Sequence, residues 1–159
     1  MADNVRVEPL DKSSATVVVM WMNKQWLERP HKKIRARLEL LEWLDSINNS
    51  NIRAYMVTQG QKQLGAAILD KIDWIARHAW MYIIHDDEDF ETIVSAALKQ
   101  AAELNLKKVS IDVLLEQTSQ VDILERLGFK IEVRKRQFLL RRGNYKTILE
   151  MAKFVGSHE

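Results

Sequence analysis

The chain contains no cysteine, which rules out a disulfide framework, a thiol nucleophile and a thiolate metal site. Proline occurs twice and glycine five times, and no low-complexity stretch or internal repeat is visible. No apolar run approaches the roughly 20 residues that cross a bilayer. The first residues, MADNVRVEP, lack the apolar core of a signal peptide, so a cytoplasmic protein with no membrane partner is expected. Neither sign of charge prevails: 24 basic residues face 22 acidic ones for a net charge of +2, and no global field calls for a nucleic acid. The basic runs at 29–37 and 134–142 are not expected to interleave with exposed aromatics, as a single-strand binding platform would.

What is present suits an ordinary globular core, with 47% hydrophobic and 29% charged residues, and 159 residues predict a single domain over 1–159. A short strand is expected over 5–10. Asp11, Ser13 and Ser14 offer N-cap chemistry for a helix over 15–26, and Pro30 suits the first turn of a second helix reaching 48. A hairpin follows over 53–75, then a nearly continuous apolar strand over 79–84, as expected for a central strand covered on both faces. Residues 90–104 carry helical spacing at Ile93, Ala97, Ala101 and Leu104. A second buried strand is predicted over 109–114 and a short helix over 120–127. A long helix between two apolar strands implies a parallel central pair joined by a right-handed crossover. The fold class is therefore α/β, with a mixed central sheet flanked by helices. Of the five tryptophans, Trp80 is expected in the core, and so are Trp21 and Trp26, with the lining of a pocket as the alternative for one of these two.

The last third has the most distinctive spacing. Leu127, Gly128 and Phe129 combine a helix end, a left-handed turn and a return to the core, and the run from 130 to 154 reads as two strands around Gly143. The positions Leu127-Gly128-Phe129, Glu132, Arg136, Gly143, Tyr145 and Met151 resemble the GNAT superfamily of acyl-coenzyme A N-acyltransferases, and within it the branch acting on ribosomal-protein N-termini, polyamines and amino sugars. The resemblance implies a parallel strand pair that splays to admit the pantetheine arm of acetyl-coenzyme A. It implies transfer of an acetyl group to an amine, either a small molecule or a protein N-terminus, and a homodimer. By position it also implies contact of Trp80, Ile83, Ile84 and Gln117 with the cofactor. No metal is implied.

Two places depart from that family. Its pyrophosphate loop carries glycines and a basic residue at the start of the long helix, whereas here positions 86–91 hold five carboxylates. These are expected to cap the helix and complement its dipole, and to weaken acetyl-coenzyme A binding beyond the micromolar range. The family's tyrosine acid falls on Leu124, which has no proton to give, and its asparagine and alanine in that helix fall on Gln117 and Gln120. Tyr82, His85 and Glu116 are the candidate replacements as acid or base; packing, capping or an exposed loop carboxylate are their plainer readings. Arg136 is expected to share a strand face with Glu132 and either to pair with it as an exposed charge or to belong to the acceptor side or a dimer edge. The resemblance implies that the basic cluster at 29–37 borders the acceptor site, which would suit an acidic acceptor or partner; a solvated face is its plainer reading. The alternative to an acetyltransferase is an inactive member of the fold that acts as a binding or assembly module.

Overall fold

The computed structural model describes residues 4–24, 42, 45, 50–85 and 89–156. Seven strands, β1 (Val5–Pro9), β2 (Arg53–Gln59), β3 (Lys62–Asp73), β4 (His78–His85), β5 (Lys108–Leu114), β6 (Lys130–Arg141) and β7 (Asn144–Phe154), form one sheet in the order β1-β2-β3-β4-β5-β7-β6. All neighbours are antiparallel except β4 and β5, the predicted parallel pair. The described helices are α1 (Lys12–Lys24), α2 (Phe90–Glu103) and α3 (Thr118–Arg126). The expected helix over 30–48, Trp26, Trp43 and the basic cluster at 29–37 lie outside the described residues, apart from 42 and 45.

Local chemistry sets the element boundaries. Asp11 Oδ1 accepts hydrogen bonds from Ser13 Oγ at 2.6 Å, Ser14 Oγ at 2.8 Å and the Ser14 N–H at 3.0 Å. These bonds, the Ser13 one foremost, hold the carboxyl down to about 2 and start the helix at Lys12 instead of the expected residue 15. The β3 strand ends at Asp73 instead of 75, because Asp73 Oδ1 accepts from the N–H groups of Ile75 and Ala76 at 3.0 and 2.9 Å and closes a turn. Gly128, at φ +100°, ends α3 as expected, with the Phe129 N–H donating back to Leu124 O at 2.9 Å. Arg142 and Gly143 both have positive φ, 48° and 78°, the signature of the tightest hairpin turns.

The sheet is covered differently on its two faces. Ile93, Val94, Ala97 and Ala101 of α2 and Leu124 of α3 pack on one face against Leu69, Met81, Ile83, Ile111, Val113, Leu149 and Met151. On the other face Val18, Trp21 and Met22 of α1 pack on Ala54, Met56, Ala66, Ile68 and Ile84, so Trp21 is a core residue. Burial of Val18 accounts for a β-branched run inside a helix, since packing of the apolar face outweighs propensity. Among the described residues, α1 reaches only β2, β3 and β4 in this cluster. Gly65 lets α2 lie close to the sheet: a Cβ there would come within 2.5 Å of both Ile84 O and Ile93 Cδ1.

Three expectations fail. Trp80 is only half-buried, on the α1 side, and is absent from both apolar clusters, because strand alternation points it away from α2. Glu132 pairs with Lys108 at 3.1 Å and not with Arg136. Register shifts between Ile131 and Val133 and between Lys135 and Leu139 break the simple alternation of β6, and Arg136, in the second irregularity, is exposed. Phe138, within the second basic run, is an exposed aromatic.

Candidate functional site

The centre of the sheet is a fork. His78, Ala79 and Trp80 pair with Lys108, Val109 and Ser110. Beyond these, Met81 to His85 stay with β3 while Ile111 to Leu114 stay with β7. The two strands part, and along the inner edges of the fork alternate N–H and C=O groups are left without a ladder partner. At the closed end His78 Nε2 and Ser110 Oγ share a hydrogen bond of 2.8 Å, and the His78 ring stands edge-on to Trp80 with centroids 5.7 Å apart. Burial, and next the charge of Lys108, push the His78 pKa down.

On the α1 side, strand alternation brings Trp80 and Tyr82 of β4 beside Ser110 and Asp112 of β5 and Glu150 of β7. Asp112 and Glu150 stand directly opposite each other in the antiparallel register, an unfavourable placement for like charges. Lys135, from β6, answers it: its Nζ lies 3.5 Å from Asp112 Oδ2 and 3.5 Å from Glu150 Oε1. The same ammonium is 5.8 Å from the centre of the Trp80 ring and 5.2 Å from that of Phe138, within cation–π range. Asp112 Oδ1 is buried and accepts no hydrogen bond within the described residues. Burial pushes the Asp112 carboxyl up, opposed by Lys135. The Tyr82 phenol is also pushed up, by burial first and then by the charges of Asp70 and Asp112, so it keeps its proton at neutral pH.

The sequence candidates are dispersed. Tyr82 is beside the fork on the α1 side, packed against the α1 cluster. His85 is buried on the opposite face, its ring 5.5 Å from Phe90, so Tyr82 and His85 do not meet. Glu116 lies in the exposed turn after β5 and is bound by Lys146 at 2.9 Å. Trp80 is the last β4 residue paired with β5, and Ile83 and Ile84 lie on its free continuation, their side chains on opposite faces. Gln117 is the N-cap of α3, while Leu124 is fully buried in the core. Sequence reasoning missed Asp112 and Lys135. The available signal was a lone carboxylate in the apolar run KVSIDVL, which two neutral faces would not tolerate without a cation.

At the other end of the fork, the N-cap of α2 is Asp89, whose side chain makes no capping hydrogen bond. The carboxylates described there are engaged by basic residues from elsewhere: Lys62 Nζ is 3.7 Å from Asp89 Oδ2, and Arg126 Nη2 is 3.1 Å from Glu91 Oε1. The expected capping role therefore fails for Asp89, and 86–88 lie outside the described residues.

No family model and no curated protein sequence matches the chain. Solved structures do. The spermidine N-acetyltransferase of Vibrio cholerae in complex with CoA and spermine superposes with a TM-score of 0.83 at 22% identity, over 96% of each chain. A chimera of the Vibrio cholerae enzyme and hSSAT gives 0.85 at 23%, again over 96% of each. Mutant forms of the spermidine/spermine N-acetyltransferase from that organism give 0.82 at 22%, over 95% of this chain and 94% of theirs. The chain has the GNAT fold. Its fork is the feature of the GNAT fold that suits an amide-bearing arm such as pantetheine, because backbone donors and acceptors face the gap from both walls. The first turn of α2, where the Asp89 side chain makes no capping bond, offers N–H groups to the phosphates at the other end of coenzyme A, with Lys62 and Arg126 beside it in ion pairs with Asp89 and Glu91. The residues described thus fit the group. Among the described residues no cluster of histidines and carboxylates is arranged to hold a metal ion.

Proposed function

We propose that the protein transfers an acetyl group from acetyl-coenzyme A to an amine. The observation that carries this reading is the fork between β4 and β5 with an acidic and aromatic face beside it. Backbone groups of 81–84 and 111–114 hold and orient the arm, Trp80, Ile83, Ile84 and Gln117 border it, and the α2 N-terminus with Lys62 and Arg126 receives the phosphates. Coenzyme A brings the acetyl group as a thioester, and N–H groups on the β4 wall polarise its carbonyl. Tyr82, kept protonated by its surroundings, is the proton donor on the α1 side. His85, on the other face, and Glu116, tied to Lys146, take no part.

The acceptor that suits the Asp70, Asp112 and Glu150 carboxylates and the Trp80 ring is a cationic alkylamine. The CoA and spermine complex of the structural neighbour supports that choice over a protein N-terminus. A cytoplasmic homodimer completes the reading.

Leu124 favours a second reading, a binding module without transfer, because a buried leucine stands where the resembled enzymes carry their acid. One experiment separates them. Acetyl-coenzyme A is titrated calorimetrically and product is followed by mass spectrometry with spermidine as acceptor. Transfer predicts saturable binding with Kd above about 1 μM, roughly −8 kcal/mol, turnover, and a loss of about 10²-fold in kcat for Tyr82→Phe at unchanged Kd. Binding without any turnover supports the module, and no binding at millimolar cofactor rejects the acetyltransferase.

A further inference from the structure

The side chain of Lys135 lies along the sheet and reaches the fork. It starts on β6 and meets Glu150 on β7, Asp112 on β5 and the Trp80 ring on β4. Its backbone is thus two strands away from Asp112, about 10 Å in a sheet with a strand spacing of 4.7–4.9 Å. Trp80 is the last residue of β4 paired with β5, so the amine lies where the strands part. It is not sealed in: a quarter of the side chain remains accessible. A primary amine, two carboxylates able to take its proton and two aromatic rings are thereby assembled at the place where the proposed function puts the acceptor.

We propose that Lys135 is an acetylation site of the protein's own activity, with its ε-amine as an intramolecular acceptor held beside the fork by Asp112 and Glu150. This rests on the acetyl-transfer reading. The co-reactant is an acyl thioester of coenzyme A. Lys135 Nζ gives one proton to the Asp112 carboxylate, and its freed lone pair forms the C–N bond to the acyl carbon. The nitrogen gives up its second proton as the C–S bond breaks, the thiolate leaves with the electron pair and takes up that proton, and nothing is oxidised or reduced. The desolvation that raises the Asp112 pKa strengthens that carboxylate as a proton acceptor. Lysine is suited to this and arginine is not, since an amine that has passed its proton to a base is a nucleophile while a guanidinium keeps its proton. A tethered amine also needs no encounter, so the step is first order in protein. Acetylation cancels the charge that separates Asp112 from Glu150, which leaves two opposed carboxylates on that face and changes its affinity for a cationic acceptor.

The test uses the full-length protein, acetyl-coenzyme A and peptide mass spectrometry, with calorimetric binding measured in parallel. The expected result is acetyl on Lys135 at least about ten times faster than on the exposed Lys130. The half-time should not change over a hundredfold range of protein concentration, and the preference should vanish in urea. Lys135→Arg should abolish the modified peptide, and Asp112→Asn should slow it about tenfold. Should acetyl-coenzyme A bind while Lys135 reacts no faster than Lys130, or equally fast in urea, the inference fails and the transfer reading stands. A half-time that shortens with protein concentration also overturns it, since the acceptor is then another molecule. No binding and no acetylation would reject both.

Discussion

Single residues carry the chemistry of the fork, and two of them make measurable statements. Leu124 is fully buried at the place where an acid was expected, and it serves the core between α3 and the sheet. Leu124→Ala should cost about 2–5 kcal/mol in urea unfolding; a loss below about 1 kcal/mol would show that the site collapses around the smaller side chain. Asp112 makes a statement about pH. Its carboxyl is raised from 3.8 by burial, so the folded chain holds this proton more tightly than the unfolded chain. The stability it supports is full below pH 3.8 and is lost as the pH rises through the folded value. The difference in unfolding free energy between wild type and Asp112→Asn should therefore change as the pH rises from 3.8 through the folded value. A constant difference would mean that Asp112 titrates as an ordinary exposed carboxylate. The charge at Asp112 was visible in the sequence, but its partner was not, because Lys135 arrives from a strand that follows β5 by a helix and lies two places away in the sheet.

At the scale of elements, α2 lies close against β3 and β4. Gly65 takes up that closeness, and the clash of an added Cβ would be with a backbone oxygen as well as with the Ile93 side chain. Gly65→Ala should lower stability by about 1–3 kcal/mol, read from the urea midpoint; an unchanged midpoint would mean that α2 sits farther from the sheet. Periodicity and turn chemistry made most of this level legible. The apolar spacing of α2, the alternation of β1 and the Leu127-Gly128-Phe129 corner each express local physics, and each appears near its expected position. Long-range facts were not legible in the same way. Nothing local in β6 announces that two irregularities turn Arg136 away from Glu132, and the carboxylates at the start of α2 looked like caps because Lys62 and Arg126 are distant in sequence. The fork itself was expected only through resemblance. Its open length depends on which neighbour each strand keeps, which periodicity does not encode.

For the molecule as a whole, β6 is the longer of the two edge strands of the described sheet, β1 and β6. Its hairpin with β7 exposes Ile131, Val133, Phe138, Leu140, Tyr145 and Phe154, and a long apolar edge invites pairing with another strand. The same strand carries Arg134 and Arg136, whose like charges oppose that approach. If the proposed homodimer forms through this hairpin, Phe138→Lys should shift the sedimenting mass from dimer to monomer while urea stability changes by less than about 1 kcal/mol. A mass that does not respond would place any self-association elsewhere. The fork also has a mechanical consequence. The central join rests on three registered residue pairs, whereas β3 with β4 and β5 with β7 each keep seven. Under load the sheet is therefore two stiff panels with its compliance gathered along one line, where bending changes the width of the gap without altering either panel.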